Sequence, residues 1–253
     1  MRAAFFRARA RAARRTWEGR LANWEFFLQD TGGGETYLHW LMRAWGWTIS
    51  LAVLSLIVAL IVGSLFGILR TTPSRLLVLI GDTWTELFRD IPLLVQIFLW
   101  YHVIPSIFLP LRSVPSFVLV VFAIGFFTSA RISEQVRAGI QSLPKGQRYA
   151  GLAMGLTLPQ TYRYVLLPSA YRITIPPLTS EAMNIVKNTS VAFAVSIGEL
   201  IAFTLQAQEE TSKGIQIYLV VTALYFVSAF MVNRIFAFIE ARVQVPGMIG
   251  GKP

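Results

Sequence analysis

The sequence predicts an all-α integral membrane protein of about five transmembrane helices, with the N-terminus outside and the C-terminus inside. Three observations carry that reading. Hydrophobic residues make up 55% of the chain and charged residues only 14%, well below the ~25% usual for soluble domains. Several uncharged runs of about 20 residues are each long enough to cross a bilayer core. The formal charge of +10 fits lysines and arginines that hold loops on the cytoplasmic side. In a soluble protein that charge would raise nucleic acid as a partner; here none is expected. With no cysteines, the chain has no disulfide, thiolate metal site or cysteine nucleophile.

Residues 1–22 are a basic N-terminal extension with seven arginines and one acid, Glu18. Such a stretch reads as a basic helix lying on anionic lipid, as an acid-poor transit peptide without serine, or as a disordered arm or a start codon placed too early. The last reading is preferred, although an arginine arm opposes an outside N-terminus. Residues 23–46 form an aromatic pre-membrane segment broken by Gly32-Gly33-Gly34, with Trp45 and Trp47 as an interfacial belt. The membrane domain is expected over 47–241. Its first span is 48–69, followed by a basic cytoplasmic turn holding Arg70 and Arg75.

Residues 76–88 are amphipathic. Leu76, Ile80, Trp84 and Leu87 share one face, and Asp82 and Glu86 lie on another. Pro92 restarts the helix after Arg89-Asp90, so the second span, ending at Pro105 and Pro110, is broken or kinked. A third span covers 113–130. Arg131, Glu134 and Arg137 follow at spacings that let them pair along the helix end. Residues 178–206 form a fourth span, polar for its kind. Gln208-Glu209-Glu210 is an acidic outer loop, 214–233 is the last span, and 242–253 is a cytoplasmic tail.

The stretch 134–177 is basic and polar in a chain otherwise built for lipid. Pro144 and Pro159 each open a short helix; Gly155 and Pro168 each close one. On this pattern alone it is either a structured loop without a partner or a docking element of two short helices, 144–155 and 159–167. Tyr149-Ala150-Gly151, then Gly155 three residues on, then Val165-Leu166-Leu167-Pro168 after nine more, resemble the EAA loop of permease subunits of ATP-binding-cassette importers. That pattern runs Glu-Ala-Ala, three residues, Gly, nine residues, Ile-x-Leu-Pro. Tyr149 stands where it has glutamate, and Gly151 where it has the second alanine.

The flanks around Leu143-Pro144-Lys145 and Leu167-Pro168-Ser169 resemble the polar amino acid branch. Residues 134–138 and 183–188 are similar to permeases of glutamate/aspartate importers. The likeness covers about residues 24–253. It implies a type I importer permease fold in the bacterial inner membrane and a transport subunit rather than an enzyme. It also implies ATP and Mg on a separate ATPase dimer, an extracytoplasmic amino-acid-binding protein, and a second, different permease chain. Pro144, Gly146, Ala150, Gly151, Gly155, Leu167 and Pro168 become the ATPase-coupling residues.

Glu181, Asn184 and Asn188 recur on one helical stripe with Lys187 at its edge, a candidate substrate path, since ionisable groups at membrane depth usually face a bundle interior. For Lys187 a second reading stays open, a lysine that snorkels to the interface. No phosphate loop of the G-x-x-x-x-G-K-[ST] type and no H-E-x-x-H zinc helix occurs. His39 and His102 lie near no candidate nucleophile or metal cluster, so no catalytic or metal residues are expected. The alternative function is an ion-coupled secondary transporter, which would normally show inverted repeats and more spans. An intramembrane enzyme lacks its nucleophile–base set.

Overall fold

Long uncharged runs fold as helices because a lipid-exposed backbone must satisfy its own polar groups. The computed structural model describes residues 24–243, and these are helical almost throughout. The elements are α1 (Tyr37–Leu69), α2 (Arg75–Asp90), α3 (Leu93–Ile107), α4 (Ser116–Gln141), α5 (Lys145–Ala153), α6 (Leu158–Val195), α7 (Leu200–Thr211) and α8 (Gly214–Val243). Helices α1, α4 and α8 are each long and apolar enough to cross a membrane. The count reaches five if α2 with α3, and α6 with α7, are each one broken span.

The first unit holds residues 24–47 and Gly198–Leu224. Its core joins Phe26, Leu41, Phe203, Ala207 and Ile217, all buried, with Trp40 edge-on to Phe203 at 4.9 Å. The Tyr37 hydroxyl donates to Glu210 at 2.9 Å. The glycine turn is closed by a bridge between Asp30 and Thr36, and Asp30 Oδ1 accepts the Gly32 N–H at 2.6 Å. Two expectations change here. The helix of the first span starts at Tyr37, well ahead of the uncharged run, so Trp45 and Trp47 both lie within it. Residues 208–210 belong to the last turn of α7 and not to a loop; the helix ends at Ser212, in the left-handed region at φ 54.

The second unit holds Thr48–Ile197 and residues 225–243. Its helices approach closely at small residues, as membrane helices do where there is no apolar–water contrast to drive them together. A Cβ on Gly63 would lie 2.7 Å from Ile132, and one on Gly67 2.8 Å from Val136. These two positions are the glycines of Gly63-Ser64-Leu65-Phe66-Gly67 and set the α1–α4 crossing. Gly139 does the same for α4 on α6, where a Cβ would overlap Thr174.

The break between α2 and α3 is real, a bend of 102°. Ile91 is extended, as the residue before proline prefers, and Pro92 starts α3. Buried Gln96 answers the freed carbonyls: its Nε2 donates to Phe88 at 2.8 Å and Ile91 at 2.9 Å. The faces of α2 are reversed from those of a soluble amphipathic helix. Leu76, Ile80 and Leu87 point outward, while Gly81 and Thr85 are buried. In a bilayer the apolar face is the solvent-compatible one, and polar groups turn to the bundle.

Three further expectations are overturned. The second loop helix is not short: it runs unbroken through α6. Pro168 closes nothing, because a π-helical turn at Tyr162–Leu166 precedes it. The proline then falls at the start of the next α-helical stretch, where its missing N–H is tolerated. The segment 178–206 is not one helix either. It tightens to a 3-10 turn at Thr189–Val195, leaves the helix at Ser196 (φ 60), and resumes at Leu200. Glu199 caps the new start, accepting N–H bonds from Ile201 at 2.9 Å and Ala202 at 3.0 Å.

Candidate functional site

The polar stretch folds as a helix–turn–helix. Pro144 caps α5. At the other end Gly155 adopts φ +86. Its N–H bonds the Leu152 carbonyl at 3.0 Å, and the Leu156 N–H bonds the Gly151 carbonyl at 3.2 Å. That pair of bonds is a Schellman closure, and its left-handed position suits glycine. Thr157 and Gln160 then form a capping box at the start of α6. The two helices touch through Gly151: a Cβ there would lie 2.9 Å from Cγ2 of buried Thr161. Gly151, in the alanine position of the pattern, therefore allows a closer crossing.

One face of α5 is left open. Tyr149 is 66% exposed, with Leu152 and Ala153 exposed beside it and Gly146 and Ala150 exposed on the same helix; Met154, the C-cap residue, is 74% exposed. Leu167 is half-buried and Pro168 exposed, both within α6. Of the seven coupling positions read from sequence, Pro144, Gly146, Ala150, Gly151 and Gly155 gather at α5 and its closing turn, while Leu167 and Pro168 belong to the next helix.

Behind α5 lies a belt of ion pairs that sequence spacing did not reveal. Arg70, placed by the sequence in an open turn, is buried. Its Nε contacts Asp82 Oδ1 at 2.6 Å, and its Nη1 lies 3.3 Å from both Thr85 and Ser133 hydroxyls. Arg137 joins the same Asp82 oxygen at 3.3 Å. Arg89 pairs with Glu134 at 2.6 Å, and Arg131 with Glu181 at 3.7 Å. The triad Arg131, Glu134 and Arg137 thus pairs outward to α2 and α6, not along its own helix. The available signal was Asp82 on the polar face of an amphipathic segment, which needed a cation.

The four path candidates separate by burial. Glu181 is 8% exposed and accepts from Gln135 Nε2 at 3.3 Å. Asn184 and Asn188 are half-buried on α6, and Lys187 is exposed. Among the described residues Lys187 has no carboxylate within 4 Å. Glu181 is therefore tied into the belt, and the stripe does not act as one group. No cluster of three or more His, Cys, Asp or Glu able to hold a metal occurs among the described residues.

Comparison with known proteins bears on this arrangement. A family profile described as "Binding-protein-dependent transport system inner membrane component" matches residues 59–245. The glutamate/aspartate import permease protein GltJ of Escherichia coli (strain K12) is 43% identical, over 91% of this chain and 98% of that protein. The L-cystine transport system permease protein TcyB of Bacillus subtilis (strain 168) is 32% identical, over 78% and 84%. Among solved structures, an amino acid ABC transporter crystallised with histidines superposes with a TM-score of 0.70 at 25% identity, over 81% of this chain and 95% of that one. The MetNI methionine ABC transporter, in an inward-facing conformation, shares the fold with a TM-score of 0.71 at 20% identity, over 81% and 97%.

Proposed function

The chain belongs to the binding-protein-dependent transport system inner membrane components, and we propose that it carries glutamate or aspartate into the cytoplasm, coupled through α5 to a separate ATPase. As a member of that family it is a transport subunit of the inner membrane that works with an ATPase and a substrate-binding protein. The substrate reading rests on 43% identity to GltJ along nearly its whole length. ATP and Mg belong to the ATPase subunits in this reading. A second permease chain completes the path, because about five spans are too few to enclose one alone, and the likeness to a glutamate/aspartate permease favours a non-identical one.

The observation that carries the coupling role is the open face of α5. Tyr149, Leu152 and Ala153 are exposed at i, i+3 and i+4 on a helix whose other face is fixed by the Gly151–Thr161 contact. A contiguous apolar patch on a polar loop marks a protein contact. On the path side, an anionic cargo crossing an apolar bundle needs a cation or hydrogen-bond donors, since an unpaired buried carboxylate is costly. Lys187, with Asn184 and Asn188, supplies them in this reading. Glu181 holds α6 to α4 through Arg131.

The test is uptake in proteoliposomes holding both permease chains and the ATPase, with the binding protein outside. Labelled glutamate should enter only with ATP and binding protein present, and aspartate should compete while lysine does not. Glutamate entry driven by an ion gradient without the ATPase would overturn the reading in favour of secondary transport.

A further inference from the structure

A cavity of about 460 Å³ opens between the ends of α1 and α4, the start of α5 and the first turns of α6. The coupling role of the open α5 face does not use it. Two kinds of wall meet there. Ile140, Leu143 and Leu166 are apolar lining; Lys145 and Arg148 are cationic lining, while the Tyr162 hydroxyl is already taken, donating to the Thr71 carbonyl at 2.7 Å. No acidic residue lines it. Arg70 also borders the cavity, but Asp82 already holds it at 2.6 Å. Lys145 and Arg148 are not so committed. Neither has a carboxylate within 4 Å among the described residues.

Arg148 supplies the sharper sign. Its Nε is buried without a hydrogen-bond partner among the described residues. A buried unsatisfied guanidinium donor costs free energy that an acceptor in the cavity would recover. The cavity also meets the N-terminal end of α5, whose first N–H groups and dipole favour negative charge. That helix end alone would prove nothing; here it coincides with two uncommitted cations and an orphan donor. A tetrahedral oxyanion offers several acceptors to such a set, and Arg favours phosphate in particular.

We propose that this cavity binds a phosphate-bearing anion, with the headgroup of an anionic phospholipid as its source. The amphipathic lining favours the lipid over a free ion, because Ile140, Leu143 and Leu166 match the glycerol and first acyl carbons. The site also lies where spans end among basic residues, and the cytoplasmic leaflet concentrates anionic lipid. The proposal needs only membrane placement, so it stands or falls apart from the choice of amino acid.

The test uses the whole permease–ATPase complex, extracted and exchanged into nanodiscs of phosphatidylcholine with a minor share of phosphatidylglycerol. Lipid retained by the complex is then quantified. The native complex should enrich phosphatidylglycerol. Lys145→Gln and Arg148→Gln should each cut that enrichment about fivefold, about 1 kcal/mol at 1.4 kcal/mol per tenfold, with insertion unchanged. Lys213→Gln, remote in sequence and in the other unit, controls for net charge. Adding inorganic phosphate separates the sources. No effect at millimolar concentration supports the lipid, whereas displacement of phosphatidylglycerol by phosphate alone overturns the lipid assignment. Equal retention of both lipids overturns the site. Loss of ATPase recovery in Lys145→Gln and Arg148→Gln without any change in lipid enrichment also overturns it, and gives the cavity to an acidic side chain of the ATPase. If either variant inserts poorly, phosphatidylglycerol carrying a photoreactive acyl chain still decides: cross-links in the native complex within residues 140–166 support the site, and their absence refutes it.

Discussion

Replacing Gly155 with alanine alters nothing that neighbouring side chains would meet. A Cβ at that position finds no atom within 4 Å. What it changes is the backbone, which sits at φ +86, where an L-residue with a Cβ costs about 1–2 kcal/mol. The Schellman closure either holds under that strain or opens, freeing the Gly151 and Leu152 carbonyls. To the extent that it opens, the α5 face is presented less often in its native pose. Where opening takes up the whole cost, ATPase affinity falls by about 5- to 30-fold, at 1.4 kcal/mol per tenfold. Membrane levels should stay normal, because the turn lies outside the spans. The assay is titration of the purified ATPase against permease in nanodiscs, with ATP-driven uptake beside it. Gly155→Asn should recover most of the loss, since asparagine tolerates the left-handed region far better than alanine. Unchanged affinity in Gly155→Ala would refute the reasoning. So would Gly155→Asn binding as poorly as Gly155→Ala, which would mean that the added side chain, not φ, is what the partner rejects.

The other expected outcomes concern packing, charge, topology and the path. Gly139→Ala places a Cβ against Thr174 and should destabilise the α4–α6 crossing by about 1–3 kcal/mol; adding Thr174→Ala should recover most of it in thermal unfolding in detergent, and no recovery would remove the close contact as the cause. Arg70→Met leaves Asp82 with Arg137 alone and should cost about 3 kcal/mol. Arg70→Lys should fall short of native stability too, because an ammonium cannot span Asp82, Thr85 and Ser133 as the guanidinium does; a fully stable lysine variant would contradict this. In this cysteine-free chain, Tyr149→Cys and Glu209→Cys should label from opposite sides of the membrane with an impermeant thiol reagent, and labelling of both from outside would sink the five-span topology. Lys187→Ala should lower glutamate uptake about tenfold, ~1.4 kcal/mol, with assembly intact; unchanged uptake makes Lys187 the snorkelling lysine.

Local signals in the sequence were legible and long-range ones were not. The break at Pro92, the left-handed cap at Gly155 and the uncharged runs of α1, α4 and α8 each follow from a few adjacent residues. The continuity of α6 does not, because Pro168 ordinarily ends a helix and only the π-helical turn ahead of it removes the conflict. The exit at Ser196 was hidden by an apolar composition on both sides, and Glu199, which lies within the 178–206 stretch, is a helix cap. Arg70 looked exposed because its partners stand 12 and 63 positions away, beyond any periodicity. The crossing glycines Gly63 and Gly67 were visible as a four-residue repeat but point to a neighbour only once α4 is known. At the candidate site, the turn at Gly155 was readable in detail, whereas the polar stripe was readable only as a pattern: Glu181 left it for Arg131 and Gln135.

The unbroken course of α6 has a mechanical meaning. From Leu158 to Val195, at about 1.5 Å per residue, it is a continuous helix on the order of 55 Å long, with a π-helical turn and the pair Pro176-Pro177 along its course. One end of that helix is the capping box at Thr157. A tilt of about 5° at that end swings the other by about 5 Å, simple lever geometry on the same length. Two separate short helices joined to a span by a flexible stop would have dissipated such a tilt in the joint. Here the stroke is set by the length of one helix, and shortening it by a single turn changes the stroke by only about a tenth.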